Sequence, residues 1–126
     1  MKRLSLLVLV FTLLLSTQVQ AKTAEDYKTP TKIRCTCYCE GKVTASGDAV
    51  REGIVAGKRD WIGKTAVIYD MDMNLIGVYE FKDTGSAKSL KNGTSIDIYR
   101  TSLDRCYDWI RTYGDYVYLE IIDAEG

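Results

Sequence analysis

Six short β-rich runs, each bounded by turn-forming residues, most narrow what this chain can fold into. They occupy residues 33–39, 53–56, 65–70, 75–82, 95–99 and 116–122. Runs this short bury a core only when they pair with one another, so an all-β domain is predicted. Met71-Asp72-Met73-Asn74 reads as a hairpin connection, and Lys91-Asn92-Gly93-Thr94 carries an Asn-Gly turn signal just before a strand. One segment breaks the rhythm. Thr101-Ser102-Leu103-Asp104 offers a helix start with an acid at the capping-box distance, and Leu103, Cys106 and Ile110 recur at helical spacing. A single short helix with Cys106 on its inward face is expected before the last strand.

The N-terminal end reads differently. Met1-Lys2-Arg3 precedes an apolar stretch from Leu4 to Leu15, and small and polar residues follow up to Ala21. A basic start, a short apolar core and a small residue at the cut make a secretory signal over residues 1–21. The apolar core falls short of the ~20 residues needed to span a bilayer. The expectation is therefore a protein released to the cell envelope or beyond, without stable membrane insertion. Residues 22–32 are polar, lack periodicity and contain the only proline, Pro30. They read as a leader to a domain over residues 33–123.

The whole chain has 17 basic and 17 acidic residues. Removing residues 1–21 takes away Lys2 and Arg3 and no acid, which leaves a slightly acidic domain with no block of like charge. Nucleic acid is not the expected partner. A domain this small has a marginal core, so a covalent staple would matter. Cys35, Cys37, Cys39 and Cys106 could supply one in an oxidising compartment. The three alternating cysteines project from one strand face, where neighbours are poorly placed to bridge each other. A bridge from one of them to Cys106 is expected, and the sequence leaves open which. Three ligands at every second position lack the spacing of structural zinc sites. No metal and no cofactor are expected.

The chain contains no histidine. That removes the usual serine and cysteine triads and leaves acid–base chemistry to carboxylates. Glu80, Asp83 and Asp97 stand out because they lie in or at the end of apolar strands, where burial keeps a carboxyl protonated. Asp97 sits between Ile96 and Ile98, so Ser95, Asp97 and Tyr99 share the face opposite the isoleucines. Asp83 closes its run in Phe81-Lys82-Asp83-Thr84-Gly85, where a turn can offer backbone N–H groups. Read by spacing alone, both aspartates also fit ordinary turn-capping positions.

An ordered set of short motifs runs through nearly the whole exported part: Cys35-Thr36-Cys37-Tyr38-Cys39, Thr44-Ala45-Ser46-Gly47, Gly53-Ile54-Val55-Ala56, Asp83-Thr84-Gly85 and Ile96-Asp97-Ile98-Tyr99. In order and spacing it resembles the 3D, or three-aspartate, domain family. More distantly it is similar to the catalytic barrel of membrane-bound lytic transglycosylase A, to expansins and to rare lipoprotein A. The resemblance implies a six-stranded double-psi β-barrel associated with cell-wall glycans. It implies catalytic roles for Asp97 and Asp83 and a groove segment containing Thr44, Ser46 and Gly47. Thr84, Gly85, Tyr99 and Trp61, the last in a glycine-flanked loop, are the expected sugar contacts. The family pattern brings another aspartate almost directly after Val-Ala, whereas here Gly57-Lys58-Arg59 intervene before Asp60. Ser86 stands where a second glycine often follows Asp-Thr-Gly, and Trp109-Ile110-Arg111 departs from the commoner Trp-Gly-Arg.

Three functional classes follow from this reading. The first is a monomeric enzyme that cuts peptidoglycan glycan strands by aspartate general acid catalysis, as a lytic transglycosylase or glycosidase. The second is a non-catalytic, expansin-like wall-binding module that uses the rings of Trp61, Tyr79, Tyr99 and Trp109. The third is an exported scaffold that neither cuts nor binds wall.

Overall fold

The computed structural model describes residues 20–123. The expected signal segment, residues 1–21, lies outside them except for its last two residues. Six strands form a closed mixed barrel in the order β1-β5-β2-β4-β3-β6. They are β1 Thr31–Tyr38, β2 Ile54–Ala56, β3 Thr65–Tyr69, β4 Leu75–Asp83, β5 Ser95–Tyr99 and β6 Tyr116–Ile122. β1 runs parallel to β5 and β2 parallel to β4, while the other four seams are antiparallel. All six β-rich runs read from the sequence are strands, displaced by no more than two residues at an end.

Alternation fixes which side chains fill the barrel. Ile33 and Cys35 of β1, Ile96 and Ile98 of β5, Ala66 and Ile68 of β3, and Val117 and Leu119 of β6 are buried in one cluster. The residues between them on β1 and β5 point outward. Met71–Asn74 joins β3 to β4, and Asp70 Oδ1 accepts the N–H groups of Asp72 (3.0 Å) and Asn74 (2.8 Å). That Asx geometry holds Met73 at φ +66°.

The helix spans Leu103–Tyr113, eleven residues. Its N-cap is Ser102, whose hydroxyl accepts the Arg105 N–H at 3.2 Å, and not Thr101. Cys106 is buried on the inward face as expected, together with Trp109, while Leu103 and Ile110, which recur at the same spacing, are 57% and 39% exposed. The reason is covalent and steric. Cys37 bonds Cys106 across 5.5 Å between Cα atoms, which ties the helix to β1, and Trp109 packs against Tyr79 and Tyr113. Together they set the rotation of the helix. A second, four-residue helix, Lys88–Lys91, lies between β4 and β5. No helix among the described residues is long and apolar enough to cross a membrane.

The leader is not a loose tether. Ala24–Tyr27 forms a 3₁₀ turn in which Asp26 accepts the Thr23 N–H at 2.7 Å. Tyr27 is buried, donates to the Gly93 carbonyl at 2.8 Å and meets Trp61 edge-on at 5.4 Å. A segment without periodicity is thus held by partners far away in sequence. Trp61 is itself 1% exposed and also meets Phe81 edge-on, ring centres 5.4 Å apart. This corrects its expected role as a sugar platform: a ring buried to this degree offers no accessible face to a ligand.

Candidate functional site

Asp97 and Asp83 are brought to one row of the barrel wall. Ala56 of β2 pairs with Asp97 of β5 on one side and with Asp83 of β4 on the other, and Asp97 pairs in turn with Thr36 of β1. The order across the four strands is Thr36, Asp97, Ala56, Asp83. Directly paired residues share a face, and Ala56 puts only a methyl group between the two carboxylates.

A β-bulge makes this row possible. Val55 pairs with Phe81, yet the next residue, Ala56, pairs with Asp83, so Lys82 is the extra residue of β4. Strict alternation from the fully buried Phe81 would turn Asp83 inward. The extra residue re-aims it onto the outer face beside Asp97. Displaced from the ladder, Lys82 reaches the Asp48 carboxylate at 3.4 Å, and its carbonyl accepts the Ser46 N–H at 3.1 Å.

The two carboxyl groups have different surroundings. Asp83 is held by three donors: Ala45 N–H and Thr84 N–H to Oδ1, both at 2.9 Å, and the Tyr38 hydroxyl to Oδ2 at 3.0 Å. Asp97 accepts one bond from a described side chain, from the Thr36 hydroxyl at 2.9 Å. Burial raises the Asp97 pKa above the ordinary aspartate value; the Thr36 hydrogen bond opposes that shift, and the negative charge of Asp83 adds to it. Tyr38 is also pushed up, first by burial and then by Asp83, so its hydroxyl stays a donor. One acid biased toward its protonated form beside a carboxylate fixed by donors is an arrangement suited to proton donation.

The remaining expected contacts divide. Thr84 and Gly85 follow Asp83 directly and are half-buried. Thr44 is buried, and its hydroxyl is occupied by Ser46 Oγ (2.9 Å) and the Asp48 N–H (3.3 Å). It therefore shapes the loop that delivers the Ala45 N–H to Asp83. Ser46 and Gly47 are exposed on that loop, and Ser46 donates to Asp48 at 2.6 Å. Tyr99 is only 8% exposed and lies edge-on to Tyr38, ring centres 5.3 Å apart, so Tyr38 is the more accessible ring. Glu80 is exposed and paired with Arg51, away from any acid–base role. Asp60 is 81% exposed and outside the row.

Thr36 and Tyr38 are the site residues that sequence reasoning missed. The signal was present: they alternate with Cys35, Cys37 and Cys39, which places them on the opposite face of the same strand. Cys35 is a buried free thiol whose pKa is raised to about 12, by burial and then by Asp97, and Cys39 is a half-buried one. Among the described residues no three His, Cys, Asp or Glu side chains converge to hold a metal ion. No protein-family model matches the chain, and no curated protein does.

Proposed function

We propose that this chain is a cell-wall glycan-cleaving enzyme of the 3D family, built on a double-psi barrel, in which Asp97 is the general acid. The observation that carries the reading is the Asp97–Ala56–Asp83 row, with Asp97 biased toward its protonated form. The parallel pairs β1/β5 and β2/β4 within a closed six-stranded barrel support the double-psi topology.

In the lytic reaction Asp97 gives its proton to the glycosidic oxygen and the C1–O bond breaks. The leaving sugar departs as an alcohol, and positive charge develops at C1 and the ring oxygen. The 6-hydroxyl of the same muramyl residue then bonds to C1 and returns its proton to the Asp97 carboxylate, giving a 1,6-anhydro sugar. One group serves as acid and then as base, and no water is consumed. Asp83, held by Tyr38, Ala45 and Thr84, supplies a fixed negative charge beside the cationic centre. Hydrolysis would instead need a water and a second carboxylate free to activate it. The three donors on Asp83 favour the lytic form.

The same three donors favour one rival, a wall-binding module in which Asp83 only anchors the 44–48 loop. Purified peptidoglycan incubated with the oxidised protein separates the two. Soluble fragments ending in 1,6-anhydromuramic acid are the expected result. Reducing ends would mean hydrolysis, and retention on the wall without fragments would mean the binding module.

A further inference from the structure

Lys58, Arg59, Asp60, Thr84, Gly85 and Lys91 line an open cleft of about 190 Å³. By this measure one water needs only ~10–15 Å³. The cleft adjoins the aspartate row for a topological reason. β2 and β4 are parallel, so the segments leaving their C-terminal ends, Gly57–Asp60 after Ala56 and Thr84–Gly85 after Asp83, emerge side by side. The Gly57 N–H donates to the Asp83 carbonyl at 3.1 Å and holds the two segments together.

Three cations face a single acid here, and that acid is poorly placed to neutralise them. Asp60 is 4.0 Å from the Lys58 ammonium and 81% exposed, so water screens the pair. Lys58 is only 19% exposed and makes one hydrogen bond, to the Lys22 carbonyl at 3.0 Å, which leaves two of its three N–H donors for other acceptors. The side chains of Arg59 and Lys91 make no hydrogen bond or ion pair among the described residues. Gly85 lets this wall pack closely on the buried Leu90, where a Cβ would come within 2.7 Å of Leu90 Cδ1.

We infer that this cleft is an anion subsite that takes the carboxylate of an acidic sugar substituent on the glycan bound at Asp97 and Asp83, an inference that rests on the glycan reading of that site. A neutral glycan offers hydroxyls and amides, which require no cation. Two aspartates in the row would repel an acidic ligand unless opposite charge stood next to them. Lys58, Arg59 and Lys91 provide that charge, with the Arg59 guanidinium able to grip a carboxylate through two parallel N–H bonds.

The test uses two probes that share a pyranose ring and an N-acetyl group and differ by a lactyl carboxylate: N-acetylmuramic acid and N-acetylglucosamine. Each is titrated at millimolar concentration into the full exported domain, and amide resonances are followed by NMR. The expected result is that muramic acid shifts Thr84, Gly85 and Arg59 while the neutral sugar does not. In an Arg59→Gln/Lys91→Gln variant, which loses no hydrogen bond or ion pair among the described residues, muramic acid should bind roughly tenfold more weakly. Added salt should weaken it as well. Equal shifts from both sugars, no shift at the cleft from either, or undiminished binding by the variant would overturn the inference. Binding does not require cleavage. A protein that binds muramic acid at the cleft yet releases nothing from peptidoglycan keeps the subsite and loses the enzymatic reading, and one that cuts peptidoglycan while treating both sugars alike does the reverse.

Discussion

Asp97→Asn is expected to lower the release of anhydro fragments from peptidoglycan by roughly 10²–10⁴-fold, the range that a positioned general acid contributes. The same variant should melt at a higher temperature than the parent at neutral pH. Burial and the charge of Asp83 raise the folded-state pKa of Asp97 above its unfolded value. Folding therefore favours the proton, and the stabilisation this brings is complete below the unfolded pKa and lost as pH rises through the raised folded one. At neutral pH the ionised, half-buried carboxylate is a cost, which an amide removes while its oxygen can still accept from Thr36. The stability gain should shrink as pH falls below the ordinary aspartate range. Loss of activity together with a rise in melting temperature separates a catalytic acid from a structural one, whose removal would lower both. Fragment release and thermal unfolding, each measured across pH, check the pair of effects.

Breaking the Cys37–Cys106 bond is expected to cost about 4 kcal/mol, because the bridge closes a loop with a sequence separation of 69 and removes that much chain entropy from the unfolded state. For a domain of this size the melting temperature should fall by roughly 15–30 °C. Cys106→Ser, or reduction of the parent, measured by thermal unfolding, tests this. The bond also orients the helix: it fixes Cys106 inward and brings Trp109 into the core. Losing it should loosen the helix from β1 ahead of the other barrel seams. Cys39, half-buried, should react with a thiol reagent in the folded protein well before the buried Cys35, whose thiol is held protonated.

Much of the fold was legible because its signals are local. Ile96 and Ile98 alternating with Asp97 define β5, and β1 and β6 carry a comparable alternation, while β2 and β3 read as short apolar runs. The helix was readable from Ser102 and Leu103 onward, but not its whole inward face: Leu103, Cys106 and Ile110 fit the helical period as well as Cys106 and Trp109, and the choice is made by Cys37 and by the Tyr79 ring on other strands. The ordering of the leader was not legible for the same reason, since what holds Tyr27 is Gly93, 66 residues away, and the ring of Trp61. Trp61 in turn looked available because glycines flank its loop, and Gly57 in fact lets that loop pack tightly, where a Cβ would meet Phe81 at 2.7 Å.

The candidate site divides along the same line. Asp97 can be placed on its face from period two alone. Asp83 cannot, because alternation from Phe81 points it inward, and only the Lys82 bulge, a property of the β2–β4 pairing, turns it toward Asp97. The roles of Thr36 and Tyr38 likewise depend on which strands stand next to β1. The cleft at Lys58, Arg59 and Lys91 depends on the parallel run of β2 and β4, which no local pattern announces.

Asp97 acts as the proton donor because burial and the charge of Asp83 raise its pKa above the ordinary aspartate value. The most direct measurement is a pH titration of the Asp97 side-chain carboxyl by carbon-13 NMR, in the parent and in Asp83→Asn. A titration midpoint above the ordinary aspartate range, moving down when Asp83 loses its charge, is the expected result. A midpoint at or below that range, or one indifferent to Asp83, would contradict it.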